Sequence, residues 1–320
     1  MTEYYNDIYI KDKYSFLGSD KYNPIVKENV NEFVNDYYMG EKTIELAESK
    51  YQSTTVNKLV EKYKKVDLLI SGDLQNQILS STIAASNICV PFLGIYSACS
   101  TFTEGLIIAS NMIKNNKNKN VIVSVSSHNL VSEKQFRFPV EYGALRKRVN
   151  TCTASGSVSA LVSNDKSKIK IESSTVGRVC KTNHKDTNDM GSAMAPSCAQ
   201  TLYKHLIDTK RKPDYYDLIL TGDLGIYGIK IMCEYFEKIS NMKIKSIIDC
   251  GSIFYKDENI YAGASGPCCL PFVLFDYILQ TKKYNKILII GTGSLHSVMS
   301  SNLGLSIPSV SHAVSLEVRY

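Results

Sequence analysis

The sequence predicts an α/β protein made of two similar βα units packed together, and three observations predict it. DLLISGDL, Asp67 to Leu74, returns as DLILTGDL, Asp217 to Leu224, with five of eight positions identical at an offset of 150 residues. VIVSVSSH at 121–128 and ILIIGTGSLHS at 287–297 form a looser pair, each a strand-like run that ends in Ser and His. ASGSVSALVSN near 154 and SVSHAVSLEV near 309 read as the strands that close each half. Strands alternating with helices, twice over, exclude an all-α or all-β chain.

In order along the chain, the first element is the apolar run ending at Gly72-Asp73, whose pattern is that of a buried parallel strand. Helical periodicity follows it in NQILSSTIAAS, as it follows the second copy in YGIKIMCEYFEKI. FTEGLIIASNMI and PFVLFDYILQ are helix-like and precede the second strand pair. KNNKNKN, Lys114 to Asn120, reads as a solvated turn between helix and strand. Asn129 to Asn150 is a long aromatic and charged insertion, and loops of this length are usually functional or interfacial. The expected halves are 1–165, carrying the 129–150 insertion, and 166–320.

A chain of 320 residues, 44% hydrophobic, can bury a sizeable core. No apolar window reaches the roughly 18 residues of a spanning helix, and the N-terminus lacks the basic-then-apolar order of a signal peptide, so an intracellular protein is expected. Its nine cysteines have neither zinc-site nor disulfide spacing and are expected to be reduced. The net charge of +6 comes from dispersed lysines, and with no tryptophan and no basic-aromatic interleaving nucleic-acid binding is not expected.

In GIYSACSTFTEGLIIAS, Gly94 to Ser110, Cys99 sits where an apolar run stops and a helix begins. The amides and positive dipole end of that helix are expected to favour a thiolate or another anion there. Cys99 is thus a candidate nucleophile, a pocket-lining residue, or a small residue fitting a tight turn. Asp73 and Asp223 are expected to cap the helices that follow them, with calcium ligation the alternative. His128 and His296 are read as structural or loop-anchoring, and Cys268 and Cys269 as packing.

GIYSACST, SSHN, EKQFRFPVEYG, MGSAMAPSCAQT, YDLILTGDLG, AGASG and SIPSVSHAVSLE, in this order from about Asn23 to the C-terminus, together resemble the stage V sporulation protein AD (SpoVAD) family. That family is similar in fold to thiolases and ketoacyl synthases, so the resemblance implies two βαβ-type halves in a five-layered αβαβα sandwich. It also implies binding of dipicolinic acid, alone or with calcium, within the SpoVA apparatus that moves dipicolinate across the spore inner membrane. Partners would be other SpoVA proteins, with peripheral membrane association and, by analogy with the fold, a homodimer.

The resemblance does not imply catalysis. Acyl transfer to Cys99 needs a thiolate and second-half groups that move protons. A thiolase carries a His near its Gly-Ala-Ser-Gly stretch, where NIYAGASG has Tyr261, a poor base. The ketoacyl synthase pattern asks for His at Gly222-Asp223 and Asn at Ala262 or Gly263. The expectation is a non-catalytic binder without cofactor or resident metal; the alternatives are an acyltransferase using Cys99 or a ligand-free structural subunit. The expected ligand site is Cys99, Ser100 and Thr101 for one carboxylate, Arg137 for the other through its planar fork, and Tyr261, Gly263, Ser265 and Gly293 beside them. Ala98, Ala264, Gly266 and Gly291 would share the floor. Arg137 pairing with Glu133 or Glu141 to hold the loop is the alternative for that residue.

Overall fold

The computed structural model describes residues 1–115, 118–136, 146–257 and 260–320. Its first half has five main strands, β1 (Tyr9–Leu17), β2 (Leu68–Gly72), β3 (Phe92–Gly94), β4 (Asn120–Ser127) and β5 (Gly156–Ser163). The second half repeats them as β6 (Ile169–Thr175), β7 (Leu218–Thr221), β8 (Ile247–Asp249), β9 (Lys286–Ser294) and β10 (Pro308–Val318). In space the first set runs β1-β5-β4-β2-β3 and the second runs β6-β10-β9-β7-β8. Pairings correspond strand for strand: β1–β5 and β5–β4 are antiparallel, like β6–β10 and β10–β9, whereas the remaining neighbours are parallel. The two sets touch edge to edge through a short β1–β6 contact at Tyr9 and Ile10.

Alternation along the strands divides the core into layers. Ile70, Val123, Leu220 and Ile289 face a central cluster that contains Phe102 and Leu106 of helix α3 (Thr101–Lys114) and Phe272 of helix α8 (Cys269–Val273). Leu69 and Ile122 face the other way, onto helix α1 (Ile44–Tyr63). Ile219, Leu288 and Ile290 face helices α5 (Met190–Thr209) and α6 (Gly225–Ser240). Helices outside, between and outside two five-stranded units make the five-layered sandwich that the repeat and the resemblance led one to expect. Each fully buried Leu or Ile contributes about 1.5–3 kcal/mol through removal of apolar surface from water.

Three further helices position the site: α2 (Leu79–Ser86) after β2, α4 (Asn129–Phe136) at the start of the 129–150 insertion, and α7 (Cys250–Ile253) after β8. α5 and α6 cross at two glycines, Gly191 and Gly228. A Cβ on Gly228 would lie 2.8 Å from the Gly191 backbone, so the close approach depends on both being bare. No helix among the described residues is long and apolar enough to cross a membrane.

Candidate functional site

A cavity of about 410 Å³ opens where the strand ends of the two halves meet. Cys99 reaches it from the turn before α3, and the residue before it, Ala98, holds a left-handed φ of 49°. That conformation costs a residue with a side chain about 1–2 kcal/mol, and it directs the chain from β3 into α3 with Cys99 half-buried at the cavity. Opposite the sulfur is Asp223, at the end of β7. Thr153 and Ser265 arrive side by side because Cys152–Thr153 pairs in parallel with Ala264–Ser265. α4 contributes Ser132, Glu133 and Phe136.

Asp223 is fully buried, and it is not a helix cap. One oxygen accepts from Thr292 Oγ at 2.7 Å and the other from the Gly266 amide at 2.9 Å. The capping expected of it is carried out by Asp249, which accepts from Leu224 N at 3.0 Å and Gly225 N at 2.9 Å while also capping α7 at Ser252 N. Asp73, the first-half counterpart, does act as expected: it accepts from Gln75 N and Ser81 N, each at 2.8 Å. The duplicated Gly-Asp motif therefore has two different duties.

Burial pushes the Asp223 carboxyl up to about 6, although the Cys99 thiol, Thr292 and Gly266 all donate to it and pull the other way. Burial and the neighbouring Asp223 charge raise Asp249 to about 7, against the hydrogen bonds it accepts. Cys99 is pushed well above the ordinary thiol range, first by burial, then by the Asp223 charge and by donating to that carboxylate. The Gly266 amide opposes this weakly. The helix start was expected to favour a thiolate; desolvation and a facing carboxylate outweigh that dipole and hold Cys99 as a neutral thiol.

Of the residues expected at the ligand site, the structure brings Cys99 and Ser265 to the cavity. Ser100 and Thr101 are fully buried, and their hydroxyls hold the turn: Ser100 Oγ donates to Ser97 O at 2.8 Å and Thr101 Oγ to Ala98 O at 2.6 Å. Gly263 and Gly293 are packing positions, not floor. A Cβ on Gly263 would meet Gly251 O at 2.2 Å, and one on Gly293 would meet Ser97 O at 2.3 Å. Gly291 is likewise closed off, 2.2 Å from Thr103 Oγ by the same construction. The Tyr261 ring lies under the Arg146 guanidinium, 5.8 Å away, and does not line the cavity. Arg137 lies outside the described residues.

His128 is structural, with Nε2 2.9 Å from Tyr37 O and its ring stacked on Tyr51 at 5.8 Å. Cys268 is buried against Val125 O and Gly156 O, and Cys269 is buried beside it. His296 differs from its expected role, because it lines the cavity, as does Ser294 at the end of β9. Lys147 also lies on the wall, paired with Asp186 at 3.0 Å, and Glu133 is paired with Arg146 at 2.8 Å. Asp223 carried a sequence signal, the repeated Gly-Asp, and Ser294 and His296 lay in the repeated strand end in Ser and His; Lys147 and Asp249 carried none.

The family model for stage V sporulation protein AD (SpoVAD) matches residues 2–317. The chain belongs to the SpoVAD family. This member is 35% identical over 291 residues to stage V sporulation protein AD of Bacillus subtilis (strain 168), covering 88% of this chain and 86% of that protein. Its fold is that of condensing enzymes: it is similar to 3-oxoacyl-[acyl-carrier-protein] synthase III from Aquifex aeolicus VF5, with 15% identity, TM-score 0.55 and coverage of 97% and 99% of the two chains. A variant of OleA from Xanthomonas campestris is similar at TM-score 0.64 and 14% identity, covering 98% of this SpoVAD-family chain and 97% of that one.

Proposed function

We propose that this SpoVAD-family chain binds dipicolinate in the cavity at Cys99 and does not turn over acyl thioesters. The observation that carries the reading is the pair at the cavity's end, where Cys99 and the buried acid Asp223 share the wall and burial with the facing carboxylate raises the thiol well above its ordinary range. Acyl transfer starts from a thiolate; here the group in front of the sulfur is an anionic carboxylate, which raises the thiol's pKa where a cationic partner would lower it. A cavity of about 410 Å³ lies within the usual range for small-ligand pockets and admits a one-ring diacid.

A ligand carboxylate placed near Asp223 repels it while that residue is ionised. Binding therefore takes up a proton at Asp223, or a calcium ion sits between the two carboxylates. The Lys147 ammonium on the wall, paired with Asp186, can reach the other end of a dianion only by sharing or exchanging that carboxylate. Partnership with other SpoVA proteins at the spore inner membrane is part of the same proposal, supported by family membership. So is a homodimer, for which the open edge of β3 offers a surface: Leu93 there is 38% exposed.

Calorimetric titration with dipicolinate, with and without calcium, tests the reading. Saturable one-site binding is expected, tighter at pH 6 than at pH 8, because Asp223 holds its proton up to about 6. Absence of heat at millimolar ligand overturns the binding reading. Sustained release of free coenzyme A from acyl-CoA by the purified chain overturns the non-catalytic one and favours the condensing-enzyme alternative.

A further inference from the structure

Lys147 is the one lysine or arginine among the described residues of the cavity wall, and its side chain is also 58% exposed, which puts it at the rim. The other basic group on the wall, His296, is held by burial below its ordinary pKa. Buried Asn150 fixes the root of the lysine, its Oδ1 accepting from Lys147 N at 2.6 Å. The ammonium end donates to Asp186 Oδ2 at 3.0 Å. Asp186 belongs to the turn before α5, so this contact crosses from the insertion to the other half. Beside it is a second crossing, in which Asn150 Nδ2 donates to Asn188 O and Oδ1, each at 3.2 Å. Asp186 is held without the lysine: its Oδ1 accepts from Asn188 N at 3.0 Å and from Asn188 Nδ2 at 2.8 Å, and its side chain is 42% exposed, so Oδ2 has water to turn to. Burial pushes its carboxyl up, but the Asn188 donors, followed by Lys147, hold it down to about 2.

An exposed ion pair of this kind is weak, because water solvates both partners and a long side chain loses freedom in it. A carboxylate arriving inside the cavity competes for the same ammonium with a charge-assisted hydrogen bond that is better shielded from water. We propose that Asp186 is a built-in competitor, standing in for a ligand carboxylate on Lys147, and that a small diacid binds by exchanging with Asp186 on that ammonium. The flexible four-carbon stem swings while Asn150 keeps its backbone root in place. Exchange removes one tie between the halves at the rim and leaves the Asn150–Asn188 tie intact. It rests on the ligand reading above and adds to it the residue that holds the anion and the residue that opposes it.

Calorimetric titration of dipicolinate into the wild type, Lys147→Met, Asp186→Asn and the double variant tests the exchange. Asp186→Asn removes the competing charge and keeps an oxygen for the Asn188 donors, so affinity is expected to rise about twofold to fivefold, the strength of an exposed ion pair. Lys147→Met is expected to weaken binding about tenfold, the difference between a charge-assisted hydrogen bond and the pair given up for it. In the Lys147→Met background, Asp186→Asn is expected to change nothing, because no lysine is left to withhold. Both side chains are exposed, so the variants are expected to melt within about 3 °C of the wild type. An equal gain from Asp186→Asn with and without Lys147 overturns the exchange, since the acid then acts through its field alone. Affinity in Asp186→Asn that is unchanged or weaker overturns it as well. Both results leave the ligand reading intact. Failure of the wild type to bind dipicolinate overturns the ligand reading and the exchange together.

Discussion

Asp223→Asn is the perturbation that tests the electrostatics of this site most directly. The Asn amide can keep the local geometry, its oxygen accepting from the Gly266 amide and its nitrogen donating to Thr292 Oγ, while the charge facing Cys99 disappears. At about 4 Å and an effective dielectric near 20, a unit charge contributes about 4 kcal/mol, or about three powers of ten in the thiol's acid constant. A less basic thiolate is also a weaker nucleophile, with a Brønsted slope of about 0.4–0.5, so the alkylation rate at neutral pH should rise by up to about fiftyfold. Iodoacetamide labelling read peptide by peptide in a mass spectrometer separates Cys99 from the exposed Cys89. The same substitution has a stability signature. The folded chain holds the Asp223 proton up to about 6 against an ordinary 3.8. The carboxyl therefore destabilises the fold progressively as pH rises through that window, by about 3 kcal/mol once it is fully ionised, and not at all below it. Asp223→Asn should raise stability at pH 8 by about 1–2 kcal/mol after weakened hydrogen bonds are allowed for, and by nothing at pH 3.5. Cys99 labelling that is unchanged or slower in the variant refutes the argument that Asp223 holds the thiol neutral.

Cys99→Ser keeps a small donor to Asp223 and should leave dipicolinate affinity within about threefold, as measured by calorimetry, whereas a required thiolate predicts loss of binding. Leu93→Lys on the open edge of β3 should shift the mass seen by light scattering from two chains to one, since a charge on an edge strand disfavours pairing. An unchanged mass removes β3 as the pairing surface. Gly228→Ala pushes a methyl into the Gly191 backbone and should cost about 1–3 kcal/mol in urea unfolding. No loss means that α5 and α6 separate freely.

The architecture was legible where buried strands are continuous apolar runs, as at Leu68–Gly72, Asn120–Ser127 and Lys286–Ser294. α1 was not legible, because its buried face includes Glu48, Ser49, Gln52 and Thr55. Those side chains are satisfied by distant partners: Gln75 Nε donates to Glu48 at 3.0 Å, Ser49 Oγ to Ser80 O at 2.8 Å, and Thr55 shares a hydrogen bond with Ser159 at 2.8 Å. A polar side chain buried this way erases the hydrophobic period that marks a helix. The glycines expected on the cavity floor failed for a related reason. A bare backbone position gives room either to a ligand or to a neighbouring strand, and at Gly263 and Gly293 the neighbour occupies it.

By itself the sequence determined the duplicated α/β plan, the family, and the placing of Cys99 at a strand-to-helix turn, because local apolar pattern and repeated motifs need no partner to be read. Only the tertiary structure decided which of two equivalent Gly-Asp acids faces the sulfur, that Asp249 and not Asp223 caps α6, and that His296 belongs to the cavity. Protonation and ligand contact are set by what surrounds a group from every side, and those neighbours come from strand ends far apart in the chain.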